Sequence, residues 1–432
     1  MIERPSDVLW YATAPPVPDR PVLEDDIAVD VAVIGGGFTG LATTLHLADA
    51  GHSVALLECG PLAWGASGRN AGVVAPMLAR GDPDDILHRL GEDQGTRLVE
   101  LIAGAGNVVF ELAARTGADC GAQQTGFLQP AHAPAALPAL KRRVEQWQER
   151  GKPVHLLDRH EVAEVTGTRC FAGALLDPSG GQIHPVKLVL GLAALAEAQG
   201  ATLYEGTPVS GLIETDAGWR LQTPGGAVSA ARVVLATNAH VGDLWPGLER
   251  TIMPLVIHQL ATKPVDRATA DRLLPGRQAA TDTRALPFSF RFDGDNRLIS
   301  AGLATLPIAA TARMDRLVRR QLRRLLEIET LPPTAYIWSG RAALTGDFLP
   351  RLHRLAPGLV AALGFNGRGI ALTLALGRVL SDLVLERGDP LPLPLDPVKP
   401  MAAHWLVRHG PRVYIPWARY KDARDTKQTG TP

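Results

Sequence analysis

From Asp30 to Ile34 the chain is a short, β-branched apolar run; it then meets Gly35, Gly36 and Gly37 and changes period. LATTLHLADAG spaces its apolar residues as a helix does and stops at Gly51, and SVALLE follows as a second apolar run, the pattern of a buried strand. Strand, glycine turn, helix and strand form a βαβ unit, which requires a parallel sheet entered by a right-handed crossover. A doubly wound α/β layer is therefore expected. PVKLVLGLAALAEAQG has the period of a long helix ending near Gly200, and ATLYEG reads as a strand able to join the same sheet. LIETDAGWRLQTPGGAVSA alternates, with turns at Asp216-Ala217-Gly218 and Pro224-Gly225-Gly226, which predicts a small antiparallel meander. ARVVLATNA then returns to a buried, parallel-type strand.

Residues 86 to 165 mix amphipathic helices (TRLVELIAGAGNVVFELAART, LPALKRRVEQWQERG) with the strand TGFLQP, and 245 to 335 hold the strands LPFSFRF and RLISAGL. These two insertions suit a second domain. DPLPLPLDPVKP marks the exit from the last long helix, and the tail beyond it carries Trp405, Tyr414, Trp417 and Tyr420, enough aromatic surface to pack on the body.

Composition narrows the function classes. With 44 Lys plus Arg against 44 Asp plus Glu, no overall field favours nucleic acid or an anionic membrane. KRRVEQWQER interleaves its charges with acids and apolar residues, as a solvated helix does. Cys59, Cys120 and Cys170 are too few and too scattered for a disulfide framework or a metal-ligand set. The N-terminal segment lacks the apolar core of a secretory signal, and no later run approaches the roughly 18 apolar residues of a spanning helix. A soluble, cytoplasmic protein without membrane or nucleic-acid partner is expected.

Gly35-x-Gly37-x-x-Gly40 lies after the first strand and opens the first helix, the context that makes this pattern a dinucleotide fingerprint. Gly35 permits the tight turn, Gly37 lets main chain approach a pyrophosphate, and Gly40 allows close helix packing, while the helix N-terminus faces the phosphate charge. Glu58, ending the second strand, is placed to accept hydrogen bonds from ribose hydroxyls. A glycine-rich turn before an ordinary helix is the plain alternative, and the fingerprint by itself does not separate FAD from NAD. Trp64 to Gly72, reading WGASGRNAG, is small-residue-rich enough for main chain to run beside a cofactor, although a surface loop could also read so.

DVAVIGGGFTGLATTLHLADAGHSVALLE, the GASGRNAG loop, GWRL to VVLATNAHV, and WSGRAALTGDFLP followed by GFNGRGIALTLALGRVLSDLVL together carry a resemblance. In them the chain resembles the FAD-dependent amine and amino-acid oxidase superfamily, which includes D-amino-acid, glycine and sarcosine oxidases, and within it the gamma-glutamylputrescine oxidase-like proteins. The likeness covers about residues 8 to 425, and the ordered set is far more specific than the fingerprint. It implies FAD, with Gly35, Gly37, Phe38, Thr39, Gly40, Glu58, Ser67 and Arg69 around the ADP half and Val209 near the adenine. Asn70, Ala71 and Gly72 would approach the flavin ring, and Gly340, Asp347, Gly364, Asn366, Gly367, Arg368 and Gly369 belong to the stretch that in relatives encloses the ring and ribityl chain. A helix beginning near Gly369 would aim its positive end at the flavin N1 and O2 region.

The implied fold is α/β, or α+β overall: a discontinuous, Rossmann-like FAD-binding domain (28–85, 166–240 and 336–395) interleaved with a substrate domain (86–165 and 241–335) on a mixed or antiparallel sheet. An N-terminal arm occupies 1–27 and a tail packed on the body 396–432. Relatives with covalent flavin use a cysteine or histidine in segments where this chain has Ala343 and Asn70, so FAD is expected to be non-covalent. Sarcosine oxidase-like relatives hold a substrate carboxylate with a lysine just beyond the motif that here reads Gly369-Ile370-Ala371, which turns the expectation toward an amine.

Candidate catalytic residues are Arg368, His184 and Arg291, with Gln259 and Trp338 as further pocket candidates. Each has a plainer reading: His184 as a cap, Arg291 on a solvated strand face, Trp338 as core, Gln259 as a structural hydrogen bond. Arg368 stands where a helix begins, an unfavourable place for a cation unless an anion compensates. Lys263 resembles an oxygen-activating lysine but reads more simply as solvated, and Cys59 as packed. The expected reaction is oxidation of an amine to an imine with oxygen as acceptor and hydrogen peroxide as product. A D-amino or N-methyl amino-acid substrate, an acceptor other than oxygen, and a non-catalytic flavin subunit are the alternatives.

Overall fold

The computed structural model describes residues 5–16, 19–304 and 308–427. Its first sheet has β1 (Ile27–Ile34) at the centre, parallel to β2 (Val54–Leu57) on one side and β11 (Ala227–Leu235) on the other. β8 (Thr202–Tyr204) extends the sheet beyond β2, and β18 (Leu359–Leu363) and β17 (Arg351–Ala356) extend it beyond β11, all parallel except β17. The expected meander is β9 (Gly211–Thr215) and β10 (Gly218–Gln222), hydrogen-bonded to β11. AVSA and ARVVL, which read as separate strands, are one: the first half of β11 pairs with β10 and its length also pairs with β1.

The buried ends of β1 and β2 explain their apolar runs, because helices cover the sheet. α2 (Phe38–Asp49) is apolar almost all round because it is packed between the sheet, α7 (Pro185–Ala198) and α10 (Gly369–Val384). Gly40 seats it: a Cβ there would lie 1.9 Å from the Gly35 carbonyl oxygen. Leu41 and Leu45 are fully buried at this contact, each contributing roughly 1.5–3 kcal/mol of transfer free energy.

The second sheet runs β16 (Thr334–Leu344), β12 (Met253–Pro264), β15 (Arg297–Gly302), β14 (Ser289–Phe292), β13 (Ala279–Thr281), β4 (Phe127–Pro130), β6 (Ala174–Asp177) and β5 (His155–Leu157). It is antiparallel except for β13 beside β4, as a mixed or antiparallel sheet was expected to be. Sheet membership cuts across the boundaries at 166 and 336, since β6 and nearly all of β16 belong to this second sheet. β3 (Val73–Val74) and β7 (Gly181–Gln182) form a separate two-stranded ribbon.

α3 (Pro83–Leu90) and α4 (Glu92–Arg115) depart from the expected grouping too, for α4 packs on α10 and α7. α5 (Leu137–Glu149), α6 (Arg159–Thr166), α8 (Arg267–Arg272) and α9 (Ala310–Leu325) accompany the second sheet, α6 begun by an Asp158–Glu161 capping box and α8 by Asp266. The N-terminal arm contains α1 (Leu9–Ala12), whose Leu9 and Trp10 are buried. The tail forms α11 (His404–Val407) and α12 (Gly410–Lys427). It holds the body through buried Ile415 and Ala418, whereas Trp405, Trp417 and Tyr420, expected to pack, are 71%, 54% and 68% exposed. Among the described residues no helix is long and apolar enough to cross a membrane.

Candidate functional site

One cavity of about 1570 Å³ runs from the fingerprint turn to the second sheet. At its first end Gly37 caps α2 without a side chain, leaving the helix N-terminus facing the space, and Ser67 Oγ accepts the Phe38 N–H at 3.0 Å. Glu58 is fixed by the Gly36 N–H at 2.7 Å on one oxygen and by the Gly60 N–H (3.1 Å) and the Cys59 thiol (3.2 Å) on the other. Burial raises the Glu58 pKa, and those three donors oppose the shift. Desolvation and the neighbouring carboxylate push the Cys59 thiol up to about 12; Cys59 lines the cavity and is exposed instead of packed, but it is no nucleophile. A helix N-terminus whose N-cap residue has no side chain, beside a carboxylate at the end of the next strand, fits a pyrophosphate and a ribose.

Phe38, Thr39, Ser67, Arg69, Asn70, Ala71, Val209, Gly340, Asn366, Gly367, Arg368 and Gly369 line the same space, as do Gly35, Gly37 and Glu58. Gly40, Gly72 and Gly364 do not line it and act one layer back. Gly72 has φ +70° and its Cβ would sit 2.4 Å from an Arg291 nitrogen. Gly364 donates its N–H to Asn238 Oδ1 at 3.0 Å. Asp347 is elsewhere, paired with Arg351 at 2.8 Å.

Of the candidate catalytic residues, only Arg368 faces the cavity. Its guanidinium stands 5.0 Å from the centre of the Phe127 ring, and desolvation together with the Arg143 charge lowers its pKa to about 10, so it remains a cation at neutral pH. His184 and Arg291 do not line the cavity. His184 caps α7, accepting the Lys187 N–H at Nδ1 (3.2 Å), with its other nitrogen 2.9 Å from Thr13 Oγ1; burial lowers its pKa to about 3. Arg291 is buried and spends its guanidinium on the carbonyls of Ala71 (2.6 Å) and Ile183 (3.0 Å) and on Gln182 Oε1 (2.8 Å).

These residues share a purpose that residue type alone does not reveal. Three consecutive carbonyls of the expected flavin loop are each held by a buried donor: Arg69 by Trp338 Nε1 at 3.1 Å, Asn70 by Trp10 Nε1 at 2.7 Å, and Ala71 by Arg291 Nε. The Arg291 guanidinium and the edge of His184 both pack against Trp10, each with a 5.0 Å separation. The Asn70 amide ties the loop to itself through the carbonyls of Ala66 and Ser67 and the Gly72 N–H. These bonds, all made within the protein, preorganise the loop.

Gln259, a pocket candidate from the sequence, lines the rest of the cavity together with parts of the second sheet and neighbouring loops that the sequence did not single out, whereas Trp338 does not line it. Met253, Leu255, Ile257 and Gln259, alternate residues of β12, form one apolar face ending in an amide. Gln259 is 5% exposed and its Oε1 has no hydrogen-bond partner among the described residues. Phe348, Leu286, Pro287 and Phe288 add further apolar wall. α12 closes the side: Tyr414 takes a hydrogen bond from Arg80 (2.6 Å) and gives one to the Ala285 carbonyl (3.2 Å), while Asp422 accepts the Ala285 N–H at 2.8 Å. The alternation in MPLVIHQL was the available signal for the floor; nothing local marked α12. Lys263 is exposed and lies outside the cavity.

A family model described as FAD dependent oxidoreductase matches residues 30–383. The chain is 32% identical over 369 residues to the gamma-glutamylputrescine oxidoreductase of Escherichia coli (strain K12), covering 85% of each. It is 29% identical over 378 residues to the glycine oxidase of Geobacillus kaustophilus (strain HTA426), covering 82% of this chain and 92% of that one. The crystal structure of glycine oxidase from Geobacillus kaustophilus superposes with a TM-score of 0.69 at 26% identity, over 87% of this chain and 98% of that one.

Proposed function

The chain belongs to the FAD-dependent oxidoreductase family, and from that premise we propose that it oxidises the C–N bond of a small amine, such as a polyamine derivative, to an imine that water then hydrolyses. The observation that carries this reading is the cavity floor. Met253, Leu255 and Ile257 present hydrocarbon beside the stretch Gly340–Ala343, and Gln259 supplies one neutral polar group. An ammonium entering such a wall loses hydration, which lowers its pKa and favours the neutral amine, the form able to give up hydride from the adjacent carbon. The gamma-glutamylputrescine oxidoreductase relative bears a name of the same substrate class.

FAD, held non-covalently by the residues around Gly37, Glu58 and the clamped loop, would supply the hydride-accepting centre and pass electrons to oxygen, giving hydrogen peroxide. The chain's own task is to orient and desolvate. The loop clamp fixes main chain at Asn70 and Ala71, the N-terminus of α10 offers positive potential at Gly369, and the apolar wall excludes water.

The test is the visible spectrum of the purified protein, followed without oxygen as amines and amino acids are added in turn. Bleaching of the flavin band by amines, with colour and peroxide appearing on readmission of air, is the expected result. A flavin that D-amino or N-methyl amino acids bleach while amines do not would reverse the substrate assignment.

A further inference from the structure

α12 carries two stripes of opposite fate. Ile415, Ala418 and Asp422, at i, i+3 and i+7, are buried against the body, with Asp422 accepting the Ala285 and Leu286 N–H groups. Val413, Pro416, Trp417 and Tyr420, at i, i+3, i+4 and i+7, lie on the other side of the helix and are exposed, Val413 at 77%. Trp405 and Leu406 precede them on α11 and are also bare. Of the eleven large apolar side chains exposed among the described residues, five belong to this tail. Single exposed apolar residues scattered over a surface are ordinary, whereas a concentration of this kind marks an interaction face.

What surrounds the outer stripe is cationic. Met401 to Pro432 holds six Lys and Arg against two acids, a local excess that the neutrality of the whole chain conceals. Both acids are spent within the protein, Asp422 as above and Asp425 on Lys421 at 3.0 Å. Arg408 and Arg412 are exposed without an ion pair among the described residues, and Arg424, one turn beyond Tyr420, is exposed with a 3.6 Å contact to Asp425. α9, which lines the same cavity as α12 through Leu317, Gln321 and Leu325, adds exposed Arg316 and Arg323. A second copy of the chain is a poor occupant of this face, because a two-fold pairing would bring the arginines of both copies together with no exposed acid on the tail to meet them. Aromatic rings ringed by arginines match the boundary of an anionic bilayer, where rings sit among the headgroups and guanidiniums meet lipid phosphate. A helix lying in that boundary needs no spanning length.

We propose that the outer face of α12, with Trp405 and Leu406 ahead of it, docks on the surface of a membrane containing anionic phospholipid. Val413, Trp417 and Tyr420 enter the headgroup region, and Arg408, Arg412 and Arg424 pair with lipid phosphate. Because the inner side of the same helix walls the cavity, docking sets the cavity about one helix diameter, roughly 10 Å, from the lipid. The proposal is independent of the amine reading, since this face lies outside the site of oxidation.

The experiment sediments the full-length holoenzyme with vesicles of phosphatidylcholine alone and of phosphatidylcholine mixed with phosphatidylglycerol. Binding to the mixed vesicles is expected, weakening as salt is raised, with little binding to the neutral ones. Brominated lipid is expected to quench part of the tryptophan fluorescence in the mixed vesicles. Each arginine at such a surface is worth about fivefold in partition, so R408E/R412E/R424E should bind on the order of a hundredfold more weakly. W417S/Y420S should lose most of the quenching and bind more weakly. All of these side chains are exposed, so both variants are expected to keep the Tm and flavin content of the wild type. R142E/R159E, which reverses two exposed arginines on α5 and α6, is the charge control and should bind as the wild type does. No binding to either vesicle, equal binding to both, or tail variants that bind as tightly as the wild type would overturn the proposal. So would a mass in lipid-free solution that doubles with concentration and returns to the monomer in W417S/Y420S, because the face would then belong to a second copy.

Discussion

Arg291 Nε donates to the Ala71 carbonyl at 2.6 Å, joining a strand of the second sheet to the loop expected beside the flavin, 220 residues earlier in the chain. Arg291→Met would leave that carbonyl, the Ile183 carbonyl and Gln182 Oε1 buried without their donor, at a cost of about 3 kcal/mol or more. A lowered Tm and a lowered flavin content are expected, with substrate preference unchanged in whatever holoenzyme remains. A variant that keeps its Tm and flavin but loses kcat would return Arg291 to the catalytic residues.

Glu58→Gln keeps an acceptor for the Gly36 N–H, sets an amide NH2 against the Gly60 N–H, and removes the charge that we propose faces the adenosine end. A hydroxyl donating to a carboxylate is worth about 1.5–3 kcal/mol, so FAD affinity should fall on the order of 10- to 100-fold, beside a modest loss of Tm from the Gly60 N–H left without an acceptor. Flavin titration of the apoprotein measures this, and an unaltered Kd would remove Glu58 from the nucleotide site.

His184 gives the protein an acid-sensitive joint. Its folded-state pKa of about 3 lies below the ordinary 6.5, so the unfolded chain binds the proton more readily. The stabilising contribution is therefore complete above pH 6.5 and is lost progressively as pH falls toward 3. His132 and His240, each held near 4 by burial and neighbouring arginines, act in the same direction. His184→Asn, which can still cap α7 but does not titrate, should flatten the loss of stability between pH 6.5 and 4 in denaturant melts. Parallel curves for both proteins would show that His184 is protonated in the fold.

Acid precipitation should release the flavin completely into the supernatant. Ala343 and Asn70 line the cavity where covalent relatives have attachment residues, and the Cys59 thiol is held protonated beside Glu58. Colour retained in the pellet would contradict a dissociable cofactor.

The first βαβ unit was legible because its signals are local: the period shift after Ile34, the glycines, and Glu58 at a strand end all lie within 30 residues. GFNGRG before a helix was legible for the same reason. The settings of His184 and Arg291 were not legible, because residue type announces a titratable or charged group but not its partners, and the Ala71 and Ile183 carbonyls lie more than 100 residues from Arg291. The alternation of β12 offered a signal for the floor, but the α9 face could be recognised as a wall only after long-range packing had set it beside the cavity. Trp405, Trp417 and Tyr420 show the converse error, since aromatic content says nothing about which side of a helix is turned inward.

The pairing of β1 with β11, and of β11 with β18, also sets a timetable. A chain leaving the ribosome displays its fingerprint glycines early, but the central strand gains its second neighbour about 200 residues later, and the C-terminal helix that walls the cavity comes last. High contact order of this kind makes folding slow and leaves an apolar strand edge unpaired while synthesis continues. A ligand that binds only the finished cavity then pulls folding to completion by mass action. Cells short of riboflavin should therefore accumulate this protein as aggregate or proteolytic fragments, so that vitamin supply governs its abundance as well as its cofactor loading.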